Sequence, residues 1–425
     1  MNADADAIVI GAGPAGSATA ILLAAAGWRV ALIEQHAFPR QKVCGECIAP
    51  SGLEILDRLG VGVAVHRIAG PELRHLAWMS GEKTVHADLP ACRTGAHRYG
   101  RALGRDRLDT LLVGRARSLG VRVLQPARVE AVHGEPGNHQ CIVQCLQPQS
   151  RSYPHSATAA APLQLRAPVV IDAHGAWEAA PRGLQDTASR HRDARRPASD
   201  LLAFKASFHD TRLPPGLLPV LSLPGGCGGI VIADDRRATL ACCLDREALR
   251  RCRAESPQSP AGVAIERWLR RHCAGVDRAL SGARRDGDWL AVGPVRPGRR
   301  PTGLSGPFAV GNAAGETHPL IGEGIAIALQ SAAMLAQLLV AHAPAALGPG
   351  SAAGVKRDYT RSWRRAFLWR QRLASTFAGI AMRPAFGTTA GRLLARWPGL
   401  LTAGSSLAGK AHRAVDTQRW IGERP

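Results

Sequence analysis

Lysine is nearly missing from this chain: Lys42, Lys83, Lys205, Lys356 and Lys410 are the only five among 54 Lys+Arg residues, which face 33 Asp+Glu for a formal net charge of +21. An arginine-dominated excess of this kind, beside abundant Ala, Gly and Pro, reads first as a solvated basic surface, and no nucleic-acid partner is expected. Also missing is any apolar run of the roughly 18–20 uncharged residues that a spanning helix needs. Arg29 and Glu34 interrupt the first candidate. The basic flank of a secretory leader is absent, residues 1–6 being acidic, so export is not expected. The ten cysteines are scattered and include the adjacent Cys242 and Cys243, which argues against a disulfide scaffold. No Cys/His group has zinc-finger spacing, and Cys44 with Cys47 lacks a second pair, so no metal is expected. These absences point to a cytoplasmic protein, soluble or peripheral at the inner membrane surface.

What is present begins with length. At 425 residues the chain exceeds the roughly 250–300 that one core supports, so two or three folding units are expected. Hydrophobic residues at 46% and charged residues at 20% form an ordinary globular balance. The clearest local signal lies at the start: Ala7-Ile-Val-Ile is a β-branched run, Gly11-Ala-Gly13-Pro14-Ala15-Gly16 follows at once, and residues 17–26 form an alanine-rich helical stretch. Residues 30–34 are strand-like again and end in Glu34. This is strand, turn, helix, strand in the order of a parallel doubly wound sheet. In such a unit the glycines make the tight turn, admit a pyrophosphate and let helix pack on strand, while the acid accepts hydrogen bonds from a ribose. Glu34 also disfavours a 2′-phosphate, so the bound dinucleotide is expected to be FAD or NAD. Further on, residues 107–119 read as a helix, 121–124 and 168–172 as strands, 306–311 as a strand returning to the first sheet, and 324–339 as a long apolar helix.

Several ordered motifs carry a resemblance. Residues 11–16 with Glu34, the run Arg40-Gln-Lys-Val-Cys44-Gly45-Glu46, the run Arg105-Asp-Arg-Leu108-Asp109, then Asp172-Ala-His-Gly175, and finally Gly311-Asn312-Ala-Ala-Gly315 with Pro319-Leu-Ile-Gly322-Glu-Gly324 follow one another in the chain. The set, spanning residues 7 to about 340, resembles the FAD-dependent oxidoreductases of the geranylgeranyl reductase and aromatic hydroxylase superfamily. The resemblance implies an α/β fold: a discontinuous Rossmann-like FAD-binding domain of the glutathione-reductase type, an antiparallel-sheet substrate domain, and a C-terminal helical region. It implies FAD as cofactor, held by Gly11, Gly13, Pro14, Ala15, Gly16, Glu34, Arg40, Arg105, Gly311, Asn312, Gly322 and Gly324. Asn312 stands where the family usually carries Asp, and its amide can still bond a ribityl hydroxyl. The helix opening near residue 325 would favour negative charge on the flavin.

Four residues are candidates for catalysis. Cys44 is read either as a thiol that gates or senses flavin movement or as a small buried side chain, and Glu46 as a proton donor or a loop acid. Lys205, in an apolar setting, is a candidate near the flavin or a substrate carbonyl, with a structural lysine as the alternative. His318 beside Pro319 is a candidate acid/base or a supporting loop histidine. A second Gly-x-Gly-x-x-Gly unit is absent, so NAD(P)H is expected only as a transient visitor. The expected substrate is a hydrophobic small molecule, isoprenoid- or polyketide-like, reduced at a double bond or hydroxylated. The alternative is an aromatic monooxygenase using NAD(P)H and O₂. A halogenase is disfavoured because no Trp-x-Trp-x-x-Pro motif is present.

The expected division assigns residues 1–78, 98–180 and 290–345 to the FAD-binding domain, 79–97 and 181–289 to the substrate sheet, and 346–425 to a basic helical region. Residues 146–164 and 182–198 read as a loop and a polar linker. The glycine run at 225–229 admits close backbone approach or makes a hairpin. From residue 355 onward the tail carries 14 Lys+Arg and 3 Asp+Glu, or +11 of the +21, interleaved with aromatics. It reads either as a cap with inward aromatics or as a surface for an anionic membrane.

Overall fold

The computed structural model describes residues 3–146, 161–184, 200–300, 306–382 and 392–406. Its first sheet is five-stranded and parallel, in the order Phe308–Ala309, Val169–Asp172, Ala7–Ile10, Val30–Ile33, Arg122–Leu124. Apart from Arg122 on the edge strand and Asp172 at a strand end, these strands are apolar because both faces are covered. Ala7 and Val9 pack with Val30 and Leu32 against helices Pro14–Ala25, Arg105–Ser118 and Gly324–Val340. Ile8, Ile10, Ala31 and Ile33 face a three-stranded antiparallel sheet, Ala127–Glu135, Asn138–Cys145 and Leu163–Ala167. Each fully buried Ile, Leu or Val in these layers contributes roughly 1.5–3 kcal/mol.

A third sheet has seven strands in the order Arg284–Val292, Leu202–His209, Ala238–Leu244, Gly226–Ile232, Leu217–Leu223, His75–Ser80, Lys83–Asp88. Its neighbours are antiparallel except for one parallel pair, Leu217–Leu223 with His75–Ser80, so the expected purely antiparallel sheet is corrected to a mixed one. Helices Arg246–Glu255, Ala261–His272 and Ala274–Ala279 cover one face through Ile265, Trp268, Leu269 and Val276. The opposite face looks toward the parallel sheet across a cavity.

Two expected boundaries fall inside strands: 78 cuts His75–Ser80, and 290 cuts Arg284–Val292. His75–Ser80 pairs along its full length, and Arg284–Val292 pairs on both sides of a bulge, within the seven-stranded sheet. The loop expected at 146–164 ends sooner, at the strand beginning with Leu163. The rest of that loop, most of the linker at 182–198, and the tail residues 383–391 and 407–425 lie outside the described residues.

The basic region opens with one long helix, Pro349–Ala381, which packs on Gly324–Val340. Tyr359, Trp363 and Phe367 are buried, whereas Trp369, Phe377 and Trp397 are 41%, 40% and 57% exposed. The aromatics of the described tail thus face inward up to Phe367 of the long helix, as the cap reading expected, and outward beyond it. None of the helices among the described residues is long and apolar enough to cross a membrane.

Candidate active site

The first strand ends at Gly11, whose backbone has φ +99° and approaches Ala173 so closely that a Cβ would lie 2.6 Å from the Ala173 carbonyl oxygen. Only glycine tolerates that turn. At Gly16 a Cβ would stand 1.9 Å from the Gly11 oxygen, so this third glycine serves helix-to-strand packing and not the cavity. Gly13 differs: the nearest atom to its absent Cβ is Arg105 Nη2 at 3.5 Å. It leaves open space under a guanidinium at the N-terminus of helix Pro14–Ala25, where backbone N–H groups and the helix dipole favour an anion. Glu34 follows the second strand and is fixed by hydrogen bonds from Ala12 N–H and His36 N–H, both 2.9 Å, and from Arg40 Nη2 at 3.4 Å.

These residues border one cavity. One wall comes from the parallel-sheet layer: Gly11, Gly13, Pro14, Ala15, Glu34, Arg40 and Arg105, then Gly311, Asn312, Gly322 and Gly324. Of the twelve expected cofactor residues, only Gly16 stays outside the lining. The other wall is the inner face of the seven-stranded sheet, including Leu218, Val220, Val231 and the thiols Cys227 and Cys243, while the neighbouring Phe204, Ile230 and Cys242 pack toward the helices on the far face. Burial pushes the Cys227 thiol up to about 12 and raises Cys242 and Cys243 as well, so all three are neutral. The residues on the first wall fit an FAD pyrophosphate. Arg40, Lys42 and Arg105 converge there, and Arg40 Nε is buried without a partner. Burial, then the charge of Arg40, lowers the Lys42 pKa, as expected of cations crowded around a place for an anion.

Arg105 opens helix Arg105–Ser118 and is held by Asp109, one turn on, in a two-pronged pair at 2.8 and 2.7 Å. Cys44 lines the cavity, receives the Glu46 N–H at 3.3 Å and lies against the Arg105 guanidinium. Glu46 and Lys205 are not independent groups. They form a buried ion pair, 0% and 2% exposed at the side chain, and the second Glu46 oxygen accepts the Thr239 hydroxyl. Arg105 N–H donates to Glu46 as well, at 3.1 Å. Lys205 does not line the cavity, so its expected place beside flavin or substrate is corrected: its ammonium is turned to Glu46. With these donors on its carboxylate, Glu46 lines the cavity and anchors the two sheets to each other.

His318 lines the cavity on the 311–324 loop. The Leu320 N–H donates to its Nδ1 at 3.3 Å, which assigns the ring proton to Nε2. Burial lowers its pKa to about 4, so at neutral pH His318 is an uncharged hydrogen-bond donor. Behind this loop, Glu323 forms a buried ion pair with Arg370 of helix Pro349–Ala381, and Gln371 Nε2 reaches Thr317 at 3.4 Å. The tail region thus reaches the cofactor loop.

The glycines at 225–229 do both things expected of them: Gly225 turns the hairpin at φ +77°, and Gly228 and Gly229 line the cavity. Sequence reasoning passed over five lining residues that pair within the site. Lys42 pairs with Glu178 at 3.1 Å; His174 bonds Asp172, and although burial is the largest influence on its pKa, the charge and hydrogen bond of Asp172 together raise it; Trp177 donates to Glu316 at 2.9 Å. Lys42 and His174 stand inside the quoted motif runs and Glu316 directly follows one, so position in or beside a run was the available signal. Among the described residues one group has cation-site chemistry, Asp57, His66 and His97, away from the cavity. Its spacing in the chain gave no sign of it, and in the structure His97 bonds Asp57 and ties residues 89–100 to helix Pro50–Arg58.

Residues 4–177 match a family model described as an FAD binding domain. A menaquinone reductase of Mycobacterium tuberculosis is 36% identical over 137 residues, which is 31% of this chain and 32% of the relative. The matched segment thus spans about a third of that relative's length. In fold the chain is similar to the flavin-dependent brominase Bmp2, with TM-score 0.68, 17% identity and coverage of 98% of this chain and 96% of that one. It is also similar to a geranylgeranyl bacteriochlorophyll reductase-like protein of Thermoplasma acidophilum, with TM-score 0.62, 17% identity and coverage of 95% and 99%.

Proposed function

We propose that this chain is an FAD-dependent oxidoreductase acting on a hydrophobic, isoprenoid- or polyketide-like small molecule, by reduction of a double bond or by hydroxylation. The observation that carries the proposal is the two-walled cavity: a cationic, glycine-turned wall facing an apolar one with neutral thiols. Bound FAD supplies two-electron redox chemistry. The chain's own residues do the rest. Gly13, Arg40, Lys42 and Arg105 hold the pyrophosphate, Glu34 accepts from the ribose, and Asn312 with the turn Gly322 to Gly324 faces the flavin end. The apolar wall desolvates the substrate, and His318 donates from Nε2 to orient a substrate oxygen. NAD(P)H is a transient electron donor in this reading, since no second dinucleotide motif exists. An aromatic monooxygenase is the alternative within the same class.

Halogenation is a second reading, supported by the likeness in fold to a brominase and weakened by the absent Trp-x-Trp-x-x-Pro motif. One experiment separates them. The purified, yellow protein is given NAD(P)H and apolar polyene or phenolic substrates, with O₂ or under argon, with and without bromide. Gain of two hydrogens under argon indicates a reductase, gain of one oxygen atom in air a hydroxylase, and bromide incorporation a halogenase. A colourless protein that releases no FAD on denaturation overturns the whole proposal.

A further inference from the structure

We infer that residues 392–406, with the end of helix Pro349–Ala381, form a docking surface for an anionic lipid bilayer placed beside the cavity. The segment is apolar on two sides. Leu394 and Leu401 pack inward on Trp78, Val85 and Ala381, and Thr402 Oγ1 donates to the Asp88 carbonyl at 2.7 Å. Leu393, Trp397 and Leu400 face outward at 47%, 57% and 46% exposure, although a surface segment needs only one apolar side to hold its place. Phe377 joins this patch: it is 40% exposed and lies against Gly404.

Charge selects the occupant. Arg392 and Arg396 are exposed on the same short segment, and Arg361, Arg364, Arg365 and Arg372 are exposed along the long helix. Tryptophan and leucine flanked by arginine match a bilayer interface, where rings and aliphatic chains enter the headgroup boundary while guanidinium groups reach lipid phosphates. The inner side of the patch shares Val220 and Leu320 with the cavity wall, so a bilayer-dissolved substrate would need only a short path to the flavin. That path rests on the proposed hydrophobic substrate; the docking itself does not.

The test uses the full chain in flotation with vesicles of phosphatidylglycerol and phosphatidylcholine, or of phosphatidylcholine alone. Binding to the anionic vesicles is expected. The Arg392→Glu/Arg396→Glu variant should weaken it by at least about 30-fold, since losing two arginines removes about 1 kcal/mol each near such a surface and the new carboxylates add repulsion. The Leu393→Ser/Trp397→Ser/Leu400→Ser variant should weaken it at least as much, with thermal unfolding unchanged. The inference is overturned if the protein does not float with anionic vesicles in low salt. It is equally overturned if the serine variant binds like the parent, which would mean adsorption by net charge alone, or if the patch captures an acidic carrier protein and ignores vesicles. Vesicle binding is read without turnover, so its failure leaves the flavin proposal intact, and a protein without FAD would leave the docking result intact.

Discussion

Lys205 owes its burial to Glu46. Two charges this deep are tolerated because each completes the other, and removing one partner leaves an uncompensated buried charge. Lys205→Met should therefore cost about 3–5 kcal/mol in denaturant unfolding, and adding Glu46→Gln should recover part of it. A double variant no more stable than Lys205→Met would show that the pair is not the anchor. His318 makes a second prediction. Its pKa is about 4 in the fold against 6.5 for an unperturbed histidine, so the unfolded chain binds a proton below pH 6.5 while the folded chain refuses it until about pH 4. Stability then falls as pH drops through that window, by about 3 kcal/mol for this group. His139, also lowered to about 4 by burial, adds to the slope. His318→Gln should reduce the slope of Tm against pH between 6.5 and 4 and leave it unchanged above; an unaltered slope would refute the assignment. At this scale the sequence showed which residues were unusual but not their partners. Glu46 and Lys205 are 159 positions apart, and only the closing of two sheets on each other brings them together.

Among elements, the first strand, helix and strand were legible because local signals agree: a β-branched run, glycines at the turn, alanine-rich helix and a closing acid. The helix expected at 324–339 is observed as Gly324–Val340 for the same reason. The three-stranded sheet of residues 127–167 was passed over although its strands alternate: Ala127, Val129 and Ala131 are buried between the less buried Arg128 and Glu130, and Cys141 and Val143 between Gln140, Ile142 and Gln144, with one bulge between Val129 and Ala131 breaking the run. Helix Pro349–Ala381 was read as a basic cap or a membrane surface, and its tie to the 311–324 loop was not foreseen: Arg370 lies buried against Glu323 and Trp363 packs where a Gly315 side chain would stand. This helix is a strut for the cofactor loop. Arg370→Leu should strand the Glu323 carboxylate, cost about 3–5 kcal/mol and lower the FAD content of the purified protein. Truncation after residue 354 should abolish FAD retention. Full flavin content in the truncated chain would show that the helix is no strut.

At the scale of the whole molecule, the cavity belongs to neither sheet alone. Its cationic wall is built by the parallel sheet and its connections, and its apolar wall by the seven-stranded sheet; ties at Glu46, Asp234 and Glu323 hold the layers around it. Asp234 accepts from Gly104 N–H at 2.7 Å and from Arg237 at 2.9 Å, which sets the start of the helix carrying Arg105. Because the walls come from separate sheets, lesions in them should separate. Gly13→Asp places a carboxylate where the pyrophosphate would sit, and repulsion should remove FAD from the purified protein. Val220→Trp adds bulk to the apolar wall and should leave flavin content and spectrum unchanged while weakening binding of an apolar ligand at least tenfold, about 1.4 kcal/mol. Flavin absorbance after denaturation reads the first effect and ligand-induced flavin difference spectra read the second. If Val220→Trp lost FAD as readily as Gly13→Asp, the cavity would hold one ligand and not two, and the apolar wall would be part of the cofactor site.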